Sequence, residues 1–501
     1  MSVSTAFRGA AIPATILKGA AIIVAAVAIA CGPSVRSSRT SAGGTPAGGA
    51  APQPAPRQAQ QLVRGSQLVI YARETETPPF PVAWDVRKIA LDSPDGSQVA
   101  VPNSEISIKT SDLDRGQIIV VIADVPEGNY SGLTIFTRGV FFEDSGEPIS
   151  SDANYFSSAR NFSVVEGNAT TLLLVANLAP PGADRTAFKF QPAISIEETP
   201  PPPKGKIVYV VNELSSNISI IDKSLKRVIS NVFVGSRPSA IASDQRRNRL
   251  YIADRRVGAL YEMDMISQHL LKATQLNFVD ESIHIEPLPT KDMMIVVNFG
   301  SDTVYLVDAF TLQVMDTVEV GDGPVDAVYS PIWDLGFVVN LYDNSVSVID
   351  FSLSPPEVDT TIYVELRPTA IAIDDGMGWL YVTNGGSTDL SIIKIETMAI
   401  ERTMLIGTGA GDVELDPYGR RLFISMTETN EVLCADPYTG VTIYSVRLPS
   451  RPGALLFDPD ERNIYAAVPD RNAVVIIDAI TREIEEWIET GEFPVSIALR
   501  L

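Results

Sequence analysis

The chain has 501 residues, 45% of them hydrophobic and 20% charged, with a formal charge of −22 at pH 7. That length suggests two or three domains, and the composition is globular, with ample material for real cores. The acidic balance excludes a nucleic-acid binder, which needs clustered Lys and Arg, and argues against docking of the folded body on an anionic lipid surface.

Residues 1–31 read as an export signal. Arg8 and Lys18 supply positive charge, and Ala20–Ala30 is an unbroken apolar run of eleven. That is too short to cross a hydrocarbon core of roughly 30 Å. The run ends Ala28-Ile29-Ala30-Cys31, which resembles the lipobox of bacterial lipoproteins, with Ala28 where Leu is commoner. The resemblance implies diacylation of Cys31 as the new N-terminus. It also implies an exported protein held at the outer membrane or cell surface, with membrane contact through the lipid anchor only. A plain secretory signal that contains a cysteine is the alternative. The other cysteine, Cys434, lies in the apolar run Val432-Leu433-Cys434-Ala435 and reads as a core thiol, so no disulfide is expected. Residues 32–64 are nearly all Gly, Pro, Ala, Ser, Thr, Gln and Arg, the composition of a disordered tether.

Residues 65–195 alternate β-rich runs with turns: Gln67 to Arg73, Ala83 to Leu91, Gln117 to Asp124, Tyr130 to Arg138 and Thr170 to Val175. No helical period competes, and the expectation is a β-sandwich. Val125-Pro126-Glu127-Gly128-Asn129-Tyr130 resembles the turn of prealbumin-like sandwiches, although a generic Pro-x-Gly turn has the same appearance. A spacer is the plain role for this domain; adhesion or glycan contact is the other. A Pro-rich linker, residues 196–205, follows.

From 206 to 501 the sequence repeats. An aromatic or apolar residue opens a short strand at Tyr209, Tyr251, Ile295, Phe337, Tyr381, Phe423 and Tyr465, at steps of 42, 44, 42, 44, 42 and 42 residues. Thirteen residues later stand Asp222, Asp264, Asp308, Asp350, Lys394, Asp436 and Asp478, placed to receive backbone N–H groups and start a turn. Thirteen residues before the last six lie Pro238, Ser282, Pro324, Pro368, Ala410 and Pro452. Four strand-sized runs per repeat of this length make one propeller blade. The first repeat lacks its first strand, and Pro494–Leu499 is a spare first strand at the C-terminus, so the two ends complete one blade and the ring has seven. Tyr381-Val382-Thr383-Asn384, Tyr209-Val210-Val211-Asn212 and Val346-Ser347-Val348-Ile349-Asp350 resemble YVTN-type repeats of bacterial and archaeal surface proteins. Met426 and Val468 depart from that pattern where Asn usually stands. The fold class is therefore all-β, a seven-bladed β-propeller preceded by a β-sandwich of prealbumin-like type.

Two histidines, His269 and His284, limit the chemistry: no haem-attachment motif, ordinary zinc or copper site, nucleophile elbow or phosphate loop is present. One constellation remains. Aligning the seven first strands places His284, Glu286, Asp326, Asp412 and Glu414 where the other copies carry mostly small residues. These five face the axis. They are suited to a hard cation such as Ca²⁺, or to an acid–base pair; a water-filled channel with solvated charges is the plain alternative. No cofactor is otherwise called for. The YVTN resemblance implies a surface protein that binds rather than catalyses, with an unidentified protein or glycan partner. The rival is an exported propeller enzyme, lactonase- or lyase-like, working at the axial carboxylates.

Overall fold

A computed structural model describes residues 66–74, 80–113, 117–151, 153–165, 169–177, 190, 193–198, 206–416, 418 and 420–500. All belong to one compact unit, Pro54–Leu501. The expected signal, Cys31 and the tether lie outside the described residues.

Seven four-stranded antiparallel sheets occupy residues 207–500. Within each, the second and third strands are enclosed on both faces. Ile207–Asn212 and Asn217–Asp222, for example, have no accessible position, which is why they are nearly continuous Ile and Val. The fourth strands alternate exposed and part-buried residues, as in Glu357–Tyr363, and so form the outer rim. The first strand of each sheet packs on the first strand of the next, and Leu455–Asp458 packs on Pro494–Arg500 to complete the cycle.

The C-terminal strand pairs antiparallel with the first strand after the linker, Ile207 opposite Arg500 and Val211 opposite Ser496. The two chain ends thus build one sheet, Arg227–Phe233, Asn217–Asp222, Ile207–Asn212 and Pro494–Arg500 in order. A buried ion pair reinforces this seam: Lys223 Nζ lies 2.5 Å from Asp458 Oδ2, with side-chain exposures of 1% and 0%.

The repeat columns have physical jobs. Asp222 Oδ1 accepts the N–H groups of Ser224 and Leu225 at 2.8 and 2.9 Å, and Asp308, Asp436 and Asp478 repeat the arrangement. The terminal Asn of the repeat motif donates to a serine on the adjacent strand: Asn212 to Ser219 at 2.9 Å, Asn340 to Ser347 at 2.9 Å, Asn384 to Ser391 at 3.0 Å. Where Met426 and Val468 replace Asn, Leu433 and Val475 replace Ser. Donor and acceptor are lost together, so no buried polar atom is orphaned.

The residues before the linker form two sheets. One runs Gln117–Asp124, Gln67–Glu74, Ala169–Asn177, Ala193–Glu198; the other is built on Val82–Asp92 and Gly128–Phe142. They share one core around Trp84, Ile89, Leu133 and Phe190. The outer face of the first sheet is itself buried against the ring: Val69, Tyr71, Leu173 and Val175 pack with Val228, Ile476 and Ile488. Gln67 donates to the Ser215 carbonyl and accepts from Asn217, both at 2.7 Å, and the Ile119 N–H donates to Glu489 at 2.7 Å. This sheet therefore contacts the outer strands of both the first and the last ring sheets, Arg227–Phe233 and Ile484–Glu489. It straddles the seam where the ring closes.

Candidate functional site: the axial carboxylates

All five predicted residues lie on first strands: His284 and Glu286 on Ser282–Leu288, Asp326 on Pro324–Ser330, Asp412 and Glu414 on Ala410–Asp416. The His284 Nδ1 sits 3.0 Å from Asp326 Oδ1. The His284 side chain keeps 31% of its surface accessible although it lies on an inner strand of the ring.

The carboxylates are committed to the backbone of the neighbouring sheet. Asp326 Oδ2 accepts from Ile371 N at 2.9 Å, Asp412 Oδ2 from Leu455 N at 2.7 Å, and Glu286 Oε1 from Tyr329 N at 3.2 Å. Glu414 stands in the same register beside the Phe457 N–H, which opposes part of its rise. Asp326 and Asp412 also accept from the N–H of the next residue, Ala327 and Val413, through their other oxygens. A fifth member is Ser496, whose Oγ accepts from Ile241 N at 3.2 Å.

One rule covers Asp326, Asp412, Glu286 and Ser496. A side chain two or four residues after the first-strand proline column reaches across to the N–H three or five residues after the same column in the next sheet. The hydroxyls of Ser239 and Thr369 make the converse bond, donating to the Ser282 carbonyl at 2.6 Å and the Ala410 carbonyl at 3.1 Å. Sequence alignment found the carboxylates but missed the serines and the threonine. Ser496 shares the column of Asp326 and Asp412, whereas Ser239 and Thr369 stand one residue after the proline column.

Burial dominates the acid–base behaviour. It pushes Glu286 up to about 7, against the opposing pull of His284 and the Tyr329 N–H. It pushes Asp412 up to about 6 with help from Asp326. Glu414 is raised well above the usual carboxylate range by burial and by Asp412 and Asp326. Burial alone would lower His284, but Asp326, Glu286 and Asp412 outweigh it and raise the imidazole to about 9.

A hard-cation site is one of the readings these five residues allow, and their placement gives it no support. Among the described residues no group of three or more His, Cys, Asp or Glu is placed to hold a metal ion. The reason is geometric: Asp326, Asp412 and Glu286 turn sideways along the ring to backbone N–H groups instead of converging on the axis. His284, Glu286, Asp326, Asp412 and Glu414 are electrostatically coupled neighbours without a common coordination point. Cys434 is a buried free thiol packed with Phe423, Phe457 and Val475, as its apolar context indicates.

No family model matches the chain. YncE of Salmonella typhimurium, an uncharacterised protein, is 28% identical over 135 residues, which is 26% of this chain and 38% of that protein. Its Salmonella typhi counterpart is 27% identical over 135 residues, again 38% of its length. A functionally unknown protein from Desulfotomaculum acetoxidans superposes with a TM-score of 0.52 at 12% identity, covering 59% of this chain and 98% of that one. A candidate 6-phosphogluconolactonase from Bacteroides uniformis gives 0.51 at 13%, covering 59% and 99%. The fold is a β-propeller. At these identities the likeness is one of fold alone.

Proposed function

We propose that this chain is an exported, lipid-anchored binding protein whose seven sheets are the blades of one YVTN-type propeller. Its two-sheet N-terminal region is a sandwich docked on the ring seam. Cys31 carries the lipid, residues 32–64 form the tether, and the propeller engages a protein or glycan at the envelope surface. The observation behind a binding role is the commitment of the axial carboxylates: Asp326, Asp412 and Glu286 each hold a neighbouring sheet's N–H. Their chemistry is spent on joining blades.

The enzymatic alternative draws support from Glu286 at about 7 and Asp412 at about 6, which put a proton donor and acceptor near neutrality. Their oxygens, however, already point at backbone amides. The experiment is fatty-acid labelling and in-cell photo-crosslinking of the parent, of Cys31→Ser, and of an Asp326→Asn/Asp412→Asn variant. The anchor reading predicts that Cys31→Ser abolishes labelling and releases the protein from membranes. The scaffold reading predicts that the axial variant keeps its crosslinked partner. Loss of that partner with an unchanged melting temperature would make the axis a functional site and end the scaffold reading.

A further inference from the structure

The fourth strands of the ring are not alike. Ala399–Leu405 leaves six of its seven residues exposed, and Glu357–Tyr363 four of seven. Arg227–Phe233, the fourth strand of the sheet that the two chain ends build together, leaves none exposed. Val228, Ile229, Val232 and Phe233 are buried there, and so is the polar Asn231. An outer strand of this composition requires a cover.

That cover grips both sides of the one link in the ring that is not covalent. Each of the other six ring sheets is a continuous stretch of chain, whereas Pro494–Arg500 joins Ile207–Asn212 through strand pairing alone. On one side of this link, Ala169–Asn177 packs on Arg227–Phe233. On the other, Gln117–Asp124 packs on Ile484–Glu489, and the Ile119 N–H donates to Glu489 at 2.7 Å. One apolar cluster unites Val69, Tyr71 and Leu173 with Val210 and Val228 from the first side and Ile488 and Ile497 from the second.

A buried hydrogen-bond chain crosses the same boundary. Asn217 donates to Gln67 at 2.7 Å and accepts from Asn212 at 2.8 Å. Asn212 also donates to Ser219, which donates to Asn231 at 2.8 Å. Asn231 leads back to the two-sheet region: its backbone N–H donates to the Thr171 hydroxyl at 2.9 Å, and its amide reaches the Tyr71 hydroxyl at 3.4 Å. From the far side of the link, the Gly491 N–H donates to Ser219 at 3.2 Å and the Glu492 N–H to Ser215 at 2.9 Å. Asn217, Ser219 and Asn231 are all buried.

We propose that the two-sheet region, residues 66–198, is the outer lock of the ring: its docking holds the C-terminal strand in place, and undocking it frees that strand. A spacer or carried module needs to touch one sheet only. This region touches the strands on both sides of the link and shares one core with them. Undocking bares Val69, Tyr71, Leu173, Val175 and Val228 together and parts Gln67 from Asn217 and Thr171 from Asn231. Members of one buried network support each other, so a loss at the rim is felt at Ser219 and the Gly491 turn. The lock is independent of what the ring binds and of acylation at Cys31.

The test is site-resolved amide exchange on the full chain carrying Leu173→Asp or Gln67→Ala. Leu173 is 4% exposed and packs with the ring, outside the region's own core, so the aspartate strikes the docking. Gln67→Ala removes the hydrogen bonds to Ser215 and Asn217 without adding charge. Exchange in Ile207–Asn212 and Pro494–Arg500 is expected to speed up by about tenfold or more. The strands Leu335–Asn340 and Ser345–Asp350 should keep the parent's protection. Closure strands that stay as protected as the parent's in both variants would overturn the proposal and make the region a passenger on the ring. Equal acceleration in the closure strands and in Leu335–Asn340 with Gln67→Ala would overturn it too, because the loss would then be one of general stability.

Discussion

Raising the pH from about 5 to about 8 strips protons from the axis that the folded state holds more tightly than the unfolded chain does. Glu286 moves from 4.5 to about 7 and Asp412 from 3.8 to about 6 on folding, so both folded-state values are raised. A raised group contributes stability that is fully present below its unfolded value and is lost as pH rises through the folded one. The carboxylate contribution is therefore lost between about pH 4 and pH 7. His284, moved from 6.5 to about 9, extends the same trend to about pH 9. Each unit is worth about 1.4 kcal/mol, so either carboxylate contributes at most about 3 kcal/mol. Coupling within the cluster and the partial exposure of both side chains reduce the pair to roughly 2–3 kcal/mol.

For a ring of this size that is a fall of about 3–5 °C in melting temperature. The groups with lowered values, such as Asp264, Asp308 and Asp436, act in the opposite sense, but only below the ordinary carboxylate range. They leave the window above pH 5 clear. The assay is calorimetry at fixed ionic strength from pH 5 to 8, on the parent and on Glu286→Gln/Asp412→Asn. The parent should melt progressively lower as pH rises, and the variant should lose that slope below about pH 6.5 while His284 keeps part of it above. A parent whose stability is constant or rises over that interval would refute the reasoning.

The seam makes a sharper mutational prediction. Lys223→Met strands the buried Asp458 charge and should cost about 3–5 kcal/mol, while Lys223→Met/Asp458→Leu should recover most of it by chemical denaturation. Deleting residues 494–501 removes the strand paired with Ile207–Asn212 and the buried Ile497 and Leu499; the product should aggregate or melt far below the parent in a thermal scan. Calcium titration of chelator-treated protein at fixed ionic strength should give no saturable heat and no melting shift, since the axial carboxylates share no coordination point. A saturable response would restore the cation site.

The repeat columns were readable because a propeller asks the same task of each copy. Asp222, Asp308 and Asp436 cap the same turn, and the Asn–Ser bond returns at Asn212, Asn340 and Asn384. The C-terminal strand was readable from its 29-residue spacing to the tyrosine column. The direction of the axial side chains was not. Spacing places Asp326 and Asp412 on an inner strand but does not distinguish a carboxylate aimed at the axis from one bonded to Ile371 or Leu455. That depends on the sheet-to-sheet offset. The docking of Gln67 and Tyr71 on the ring was equally hidden, since Gln67 meets Ser215 across 148 residues and no repeat marks the contact. A strand buried on both faces, as from Gln67 to Ala72, reads the same whichever partner covers it.

The most direct test of the inter-sheet clasp is site-resolved amide exchange at Ile371 and Leu455. Their N–H groups are held by Asp326 at 2.9 Å and Asp412 at 2.7 Å from the preceding sheet. Asp326→Ala should speed exchange at Ile371 and leave Leu455 protected; Asp412→Ala should do the reverse. Unchanged protection at both amides in both variants would contradict the clasp and return the carboxylates to the axis.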